Sequence, residues 1–92
     1  MWTKVAGDTQ RGEVTLYALS TCPWCKRTKR LLGDNGVAFR YVDVDLLDGD
    51  EAERVVAEIA RLNPNRSFPT IIINGKVIAG FQEERIREAL GL

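Results

Sequence analysis

The only two cysteines of this chain, Cys22 and Cys25, lie three positions apart within the stretch STCPWCKR at residues 20–27. Two thiols at this spacing can exchange disulfides with a partner, ligate a metal ion or form a structural disulfide. A structural disulfide would close such a small loop that it would restrict the unfolded chain very little. The pair therefore indicates redox or metal chemistry.

The residues before the pair predict that Cys22 lies at the start of a helix. Residues 13–19, EVTLYAL, are nearly all apolar or β-forming, which is typical of a central strand. Pro23 suits the first turn of a following helix, where its missing N–H has no intrahelical partner. A helix N-terminus presents free N–H groups and positive partial charge that stabilise a thiolate. Cys22 is therefore the predicted nucleophile.

Cys25 is predicted one turn further along, on the buried face of the same helix. A buried thiol stays protonated until it is needed. Cys22 would attack a substrate disulfide, and Cys25 would then attack Cys22 and release the reduced substrate. Trp24 is expected on the exposed rim as apolar surface for a docking partner, and Lys26 and Arg27 add positive charge nearby.

Two alternatives to this redox role stay open. The cysteines could be two small buried residues with no chemistry. Alternatively, Cys22 of each of two chains, with two external thiols, could bridge a [2Fe–2S] cluster in an iron–sulfur carrier or sensor. Within one chain, two cysteines and no histidine cannot complete a tetrahedral zinc site, so no metal ligands are predicted there.

Length and charge limit the remaining function classes. The 92 residues predict a single domain over residues 1–92, of which residues 1–12 are weakly patterned. Lys plus Arg equals Asp plus Glu at 13 each, which argues against a nucleic-acid partner. No apolar run has the length of a membrane span or a signal peptide. We therefore expect a cytoplasmic protein, in a reducing compartment that favours a catalytic CxxC pair. We also expect a monomer.

The rest of the sequence predicts the element order β-α-β-α-β-β-α. The first two strands should be parallel, and Asn74-Gly75 predicts a tight hairpin between the last two. Residues 1–12 are interpreted either as a frayed tail or as an extra edge strand from Trp2 to Val5. The predicted elements after the first strand are a helix at 23–32, a strand at 37–44, a helix at 51–62, strands at 70–73 and 76–79, and a helix at 82–90.

Two segments carry more detailed expectations. The second helix has an apolar stripe at helical spacing, which predicts that Ala52, Val55, Val56, Ile59 and Leu62 face the core. The acidic residues between 43 and 50 are interpreted as a strand end, a loop and a helix cap rather than as a cation site.

A proline precedes the third strand, in the stretch Ser67-Phe68-Pro69-Thr70. Such a proline is usually trans, because cis is the minority state of X–Pro bonds. Next to a CxxC pair on a strand-to-helix turn, a cis Phe68–Pro69 bond is the favoured prediction. That bond would expose the backbone of Phe68 to an incoming peptide, which could pair with it as a short antiparallel ladder.

These motifs resemble the glutaredoxin family. The resemblance covers residues 13–92 and depends on CPWC after a strand, FPT before a hairpin and Gly80 before the last helix. It implies an α/β thioredoxin fold, with a four-stranded mixed sheet flanked by helices. It also implies an enzyme that reduces protein disulfides or glutathione mixed disulfides, with a nucleophilic Cys22, a resolving Cys25 and no bound cofactor. The implied groove for glutathione or a substrate chain is lined by Thr21, Pro23, Trp24, Arg66, Phe68, Pro69, Gly80, Phe81 and Gln82.

Two departures from the family pattern concern glutathione. Leu19 occupies the place where members that use glutathione usually carry a basic residue. Gln82 stands where a carboxylate would meet the glutathione amino group. The Gly80-Phe81 step resembles the glutaredoxin-like hydrogen donors of ribonucleotide reductase, which a thioredoxin reductase reduces. The expected partners are disulfide-containing proteins and, as electron donor, either glutathione as co-substrate or a thioredoxin-reductase-type enzyme, with a weak response to glutathione.

Overall fold

A computed structural model describes residues 2–9 and 11–92, and it confirms the predicted element order with one strand added at the N-terminal side. Within these residues the sheet has five strands rather than the four predicted. The strand predicted at 37–44 spans Phe39–Asp43, and a short 3₁₀ turn at Val44–Leu46 follows it. The elements are β1 Thr3–Val5, β2 Val14–Ala18, α1 Pro23–Asp34, β3 Phe39–Asp43, α2 Gly49–Leu62, β4 Thr70–Ile73, β5 Lys76–Ala79 and α3 Glu83–Leu90.

Strand β2 is the centre of the sheet, whose strand order is β1-β3-β2-β4-β5. It runs parallel to β3 and antiparallel to β4, and all five of its residues are buried. This burial on both faces explains the nearly continuous apolar sequence of the strand. The carboxyl end of β2 leads directly into the turn that carries Cys22.

Residues near the N-terminus form the edge strand that the sequence left undecided. Strand β1 pairs antiparallel with β3, with Val5 opposite Phe39. Beyond it, Thr9 hydrogen-bonds along residues 36–38 through its N–H (2.9 Å) and its carbonyl (3.1 Å). A Cβ atom at Gly7 would lie 2.4 Å from the carbonyl oxygen of Gly36, so this close crossing requires glycine. Two positions of this segment, 1 and 10, lie outside the described residues.

The three helices cover both faces of the sheet. On one face, α1 and α3 bury Cys25, Leu32 and Ile86 against β2 and β4. On the other face, α2 buries Val55 and Ile59 against a cluster that also contains Tyr17, Val42 and Val44.

The predicted stripe of α2 is too wide on one side. Val55 is 3% exposed, whereas Val56 is 41% exposed. Val56 lies one residue further along the helix than Val55, so its side chain points away from the sheet. The flat face of the sheet contacts only part of the apolar stripe. Ala52 and Leu62 lie half-buried at the margins of the contact.

A partly buried hydrogen bond joins α2 to the central strand. The Tyr17 hydroxyl donates to the Glu58 carboxylate over 2.5 Å. Burial, followed by this hydrogen bond to a carboxylate, raises the pKa of Tyr17 well above its ordinary value. The phenol therefore remains neutral in the folded protein, and its donated bond fixes the position of α2 against the sheet.

The hairpin between β4 and β5 forms at the predicted Asn74-Gly75 turn. Both residues have positive φ angles, 50° and 84°, as a two-residue hairpin turn of this kind requires. The Asn74 side chain also accepts a hydrogen bond of 3.0 Å from the N–H of Glu13. The turn is therefore fixed to the chain that leads into β2.

Over the described residues, none of the helices combines the length and the apolar character that crossing a membrane requires.

Candidate active site

Cys22 is the N-cap residue of α1. Its backbone is extended, with φ −81° and ψ 118°, and Pro23 begins the helix as predicted. The backbone N–H of Cys25 donates to the Cys22 sulfur over 3.3 Å. A negatively charged sulfur accepts such a bond more strongly than a neutral one. The first turn of α1 contains no acidic residue that would oppose negative charge at this position.

Cys25 lies one turn into α1 and is fully buried, with 0% of its surface exposed. Burial raises the pKa of the Cys25 thiol to about 12, and the hydrogen bond with Cys22 contributes in the same direction. Both cysteines are free thiols. The pair therefore combines one half-exposed sulfur at a helix N-terminus with one protonated thiol behind it.

Three side chains form a surface beside the cysteines, which we call the aromatic lip: Trp24, Arg27 and Phe81. The two rings stack with their centroids 5.7 Å apart and their planes 25° apart. The Arg27 guanidinium lies 5.6 Å from the centroid of Trp24 and 5.9 Å from that of Phe81. Trp24 is exposed, as predicted. The sequence analysis predicted positive charge at Arg27 but not its contact with the two rings, although the i,i+3 spacing from Trp24 on a helix was the available signal.

The turn that leads into Cys22 is held from the end of β3. The backbone N–H of Ser20 donates to the Asp45 carboxylate over 2.8 Å, and the Ser20 hydroxyl also donates to it. These bonds, the one from the hydroxyl first, lower the pKa of Asp45. Leu19 packs into the core on the α2 side, where a charged side chain would be desolvated. Asp45 thus positions the loop in front of α1 and is more than a loop residue.

A buried asparagine shapes the loop before β4. Asn63 is 3% exposed, and its amide nitrogen donates to Ser67 and to the Thr70 hydroxyl, the latter over 3.1 Å. Its amide oxygen accepts from the N–H of Asn65 over 3.2 Å. The sequence indicated only a helix end here. An asparagine directly before a proline at a helix end was the only local signal, and it does not distinguish a turn residue from a buried network.

The loop reaches the site at Phe68 and Pro69. The Phe68–Pro69 peptide bond is cis, which confirms the favoured prediction. The carbonyl of Pro69 accepts the N–H of Gly80 over 2.7 Å, so the segment before α3 is joined to this loop. Among the hydrogen bonds of residues 2–9 and 11–92, none uses the N–H or the carbonyl of Phe68.

The remaining residues of the predicted groove differ in their exposure and in their hydrogen bonds. Thr21 and Pro23 are exposed next to Cys22. Arg66 is exposed with a positive φ of 52°, and it borders a shallow groove on the outer side of α2. The Gln82 amide donates to the carbonyl of Ala79 over 2.6 Å and accepts from Arg85 over 3.3 Å. Gln82 is therefore occupied by the protein's own groups.

No group of three or more His, Cys, Asp or Glu side chains within the described residues could hold a metal ion. The bridging [2Fe–2S] cluster requires two chains, so that alternative stays a prediction. The expected absence of a bound cofactor, the monomeric state and the cytoplasmic location also stay predictions.

The sequence and the fold are both similar to those of known proteins. The family model described as Glutaredoxin matches residues 14–78. Over 73 residues the chain is 38% identical to the uncharacterized glutaredoxin-like 8.6 kDa protein in the rubredoxin operon of Clostridium pasteurianum, an alignment that covers 79% of this chain and 91% of the relative.

Two crystal structures share nearly the whole architecture. The glutaredoxin from Methanosarcina mazei Go1 superposes with a TM-score of 0.88 at 55% identity, over 99% of this chain and 88% of that one. The methanoredoxin from Methanosarcina acetivorans gives a TM-score of 0.87 at 53% identity, over 94% and 90% of the two chains. These similarities confirm the thioredoxin-like α/β fold.

We predict that Asn63 stabilises the loop that borders the cysteines. Asn63→Ala should lower the free energy of unfolding by about 2 kcal/mol, because buried partners of its side chain would be left unsatisfied. Asn65→Ala is the matched control, because Asn65 is exposed and only its backbone N–H takes part in the network. Urea denaturation of the two variants measures the difference. Equal stability of both would show that the network contributes nothing.

We predict that Cys25 makes the stability of the reduced protein depend on pH. Its folded pKa of about 12 lies above the unfolded value of about 8.5, so the unfolded chain loses this proton first. The contribution is complete below about pH 8.5 and is lost toward pH 12, by about 1 kcal/mol per pH unit. Urea denaturation at about pH 8 and about pH 10 should therefore show wild type losing stability relative to Cys25→Ala. If the difference in free energy of unfolding between wild type and Cys25→Ala is independent of pH, the raised pKa of Cys25 is wrong.

Proposed function

This chain belongs to the glutaredoxin family, and we propose that it is a dithiol oxidoreductase that reduces protein disulfides or glutathione mixed disulfides. The observation that carries the proposal is the division between the two thiols. Cys22 is half-exposed at a helix N-terminus, and Cys25 is buried and protonated one turn behind it.

In the first step, the Cys22 thiolate attacks one sulfur of the substrate disulfide. The Cys22–substrate bond forms as the substrate S–S bond breaks, and the leaving sulfur departs as a thiolate that takes up a proton. The raised pKa of Cys25 keeps that residue protonated at neutral pH, so it does not compete as the attacking sulfur.

In the second step, Cys25 gives up its proton and attacks the Cys22 sulfur. The Cys22–Cys25 disulfide forms as the mixed disulfide breaks, and the second substrate sulfur leaves as a thiolate that takes up a proton. Two electrons have then passed from the protein dithiol to the substrate. The bond of 3.3 Å from the Cys25 N–H to the Cys22 sulfur supports this step, since it keeps the two residues adjacent on one helical turn.

The backbone of Phe68 supports binding of an extended substrate segment. Its N–H and carbonyl make no hydrogen bond within the described chain, and its side chain packs against both core clusters. A rigidly held backbone with free donor and acceptor groups can pair with an incoming peptide as a short ladder. We propose this pairing for the substrate chain next to its disulfide.

We predict different outcomes for the two cysteine variants. Cys22→Ser should abolish disulfide reduction, while the fold persists because serine is itself a preferred N-cap residue. Cys25→Ser should accumulate the mixed disulfide and retain reduction of glutathionylated substrates, since glutathione can replace the resolving thiol. Mass spectrometry of reaction mixtures quenched with acid identifies the trapped species. If both variants behave alike, or if Cys25 alkylates first at neutral pH, the assigned roles are wrong.

We also predict that glutathione is the weaker electron donor. Leu19 supplies packing where a cation would attract glutathione, and the Gln82 amide is engaged by Ala79 and Arg85. Oxidised protein incubated with reduced glutathione, glutathione reductase and NADPH should turn over more slowly than with a thioredoxin reductase. NADPH consumption measures both rates. A faster rate with glutathione would reverse this assignment and leave the disulfide chemistry intact.

A further inference from the structure

We propose that the aromatic lip formed by Trp24, Arg27 and Phe81 selects substrate disulfides that are flanked by acidic residues in a protein segment. The inference depends on the proposed disulfide reduction, because it names the class of substrate that the same site accepts. It rests on the exposure of Trp24, on the guanidinium of Arg27 without an ion pair in the described chain, and on the position of the lip next to the cysteines.

The rings of the lip provide an accessible apolar surface. Trp24 is 52% exposed, and it follows Cys22 by only two residues. Phe81 is half-buried and supports one face of the indole by stacking on it. A supported ring loses little conformational freedom when a substrate side chain packs against it. The lip therefore suits a segment with an apolar side chain close to its disulfide.

The guanidinium of Arg27 is held on these rings without a carboxylate partner. The ion pairs found among residues 2–9 and 11–92 join Lys29 to Asp43 and Arg87 to Glu83. Lys26 and Arg30, on the same helix, are exposed and also lack ion pairs within this part of the chain.

Acidic side chains on the neighbouring segments form no ion pair with Arg27 within the described residues. Asp45 is bound by Ser20, and Glu84, which is exposed in the first turn of α3, makes no ion pair in the described chain. The lip is therefore cationic.

A protein segment with both a carboxylate and an apolar side chain next to its disulfide satisfies both parts of the lip. Stacking on aromatic rings leaves the five N–H donors at the edge of a guanidinium available, and two of them can bind one carboxylate. An acidic protein segment supplies the carboxylate together with an apolar side chain for the rings. Glutathione has carboxylates but no large apolar side chain, so it satisfies only one part.

Single-turnover reduction tests the proposal without any external electron donor. Fully reduced protein is mixed with three synthetic peptides that share one disulfide loop and differ only in flanking Glu, Gln or Lys residues. Wild type should reduce the acidic peptide about fivefold faster than the neutral one, and the basic peptide should be slowest. Added salt should shrink these differences. Arg27→Glu should invert the order, whereas Arg54→Glu, on the exposed side of α2, should leave it unchanged.

A binding measurement separates failure of this inference from failure of the proposed function. Fluorescein-labelled versions of the three peptides are titrated with Cys22→Ser protein, with and without Arg27→Glu, and followed by fluorescence anisotropy. Equal rates for all peptides with wild type overturn the selectivity and leave the oxidoreductase role standing. Absence of any reduction, with tighter binding of the acidic peptide that depends on Arg27, overturns the function and supports the lip. A fourth probe is the neutral peptide with glutathione on one of its cysteines. An Arg27 effect that is restricted to this probe overturns the assignment to protein segments.

Discussion

The hydrogen bond from the Cys25 N–H to the Cys22 sulfur is the interaction on which the site depends. It forms only if the chain is extended at Cys22 and helical from Pro23, so the start of α1 determines where the sulfur lies. The same turn places the second sulfur inside the core. One backbone geometry therefore gives two identical side chains opposite environments. The proposed division of chemical roles follows from the helix N-terminus at Cys22 and from the burial of Cys25.

Three chain segments that are far apart in sequence meet around this turn. The end of β2 supplies the cysteines, the loop before β4 supplies Phe68, and the segment before α3 supplies Phe81. Each segment is fixed by polar contacts: Asp45 holds the first, Asn63 holds the second, and the Gly80 N–H joins the third to the second. These contacts satisfy backbone and side-chain groups in places where helices and strands cannot, so irregular chain can border a rigid site.

The sequence predicted features that depend on local chemistry. The helix start at Pro23, the burial of Cys25 and the hairpin turn all follow from residue type and short spacing, and the comparisons support the family that these motifs resembled. The exposure of Val56, the pairing of β1 and the network of Asn63 depend on which distant element packs against them. Periodicity shows how much of a helix is apolar, but it does not show how wide the opposing surface is.

The two edge strands of the sheet affect whether molecules of this protein aggregate. Its outer strands, β1 and β5, contain only three and four residues, and each carries an exposed lysine, Lys4 and Lys76. Short, charged borders are poor templates for pairing with another sheet. Because β1 covers the longer, more aromatic β3, this small strand protects the molecule against aggregation as well as completing the fold.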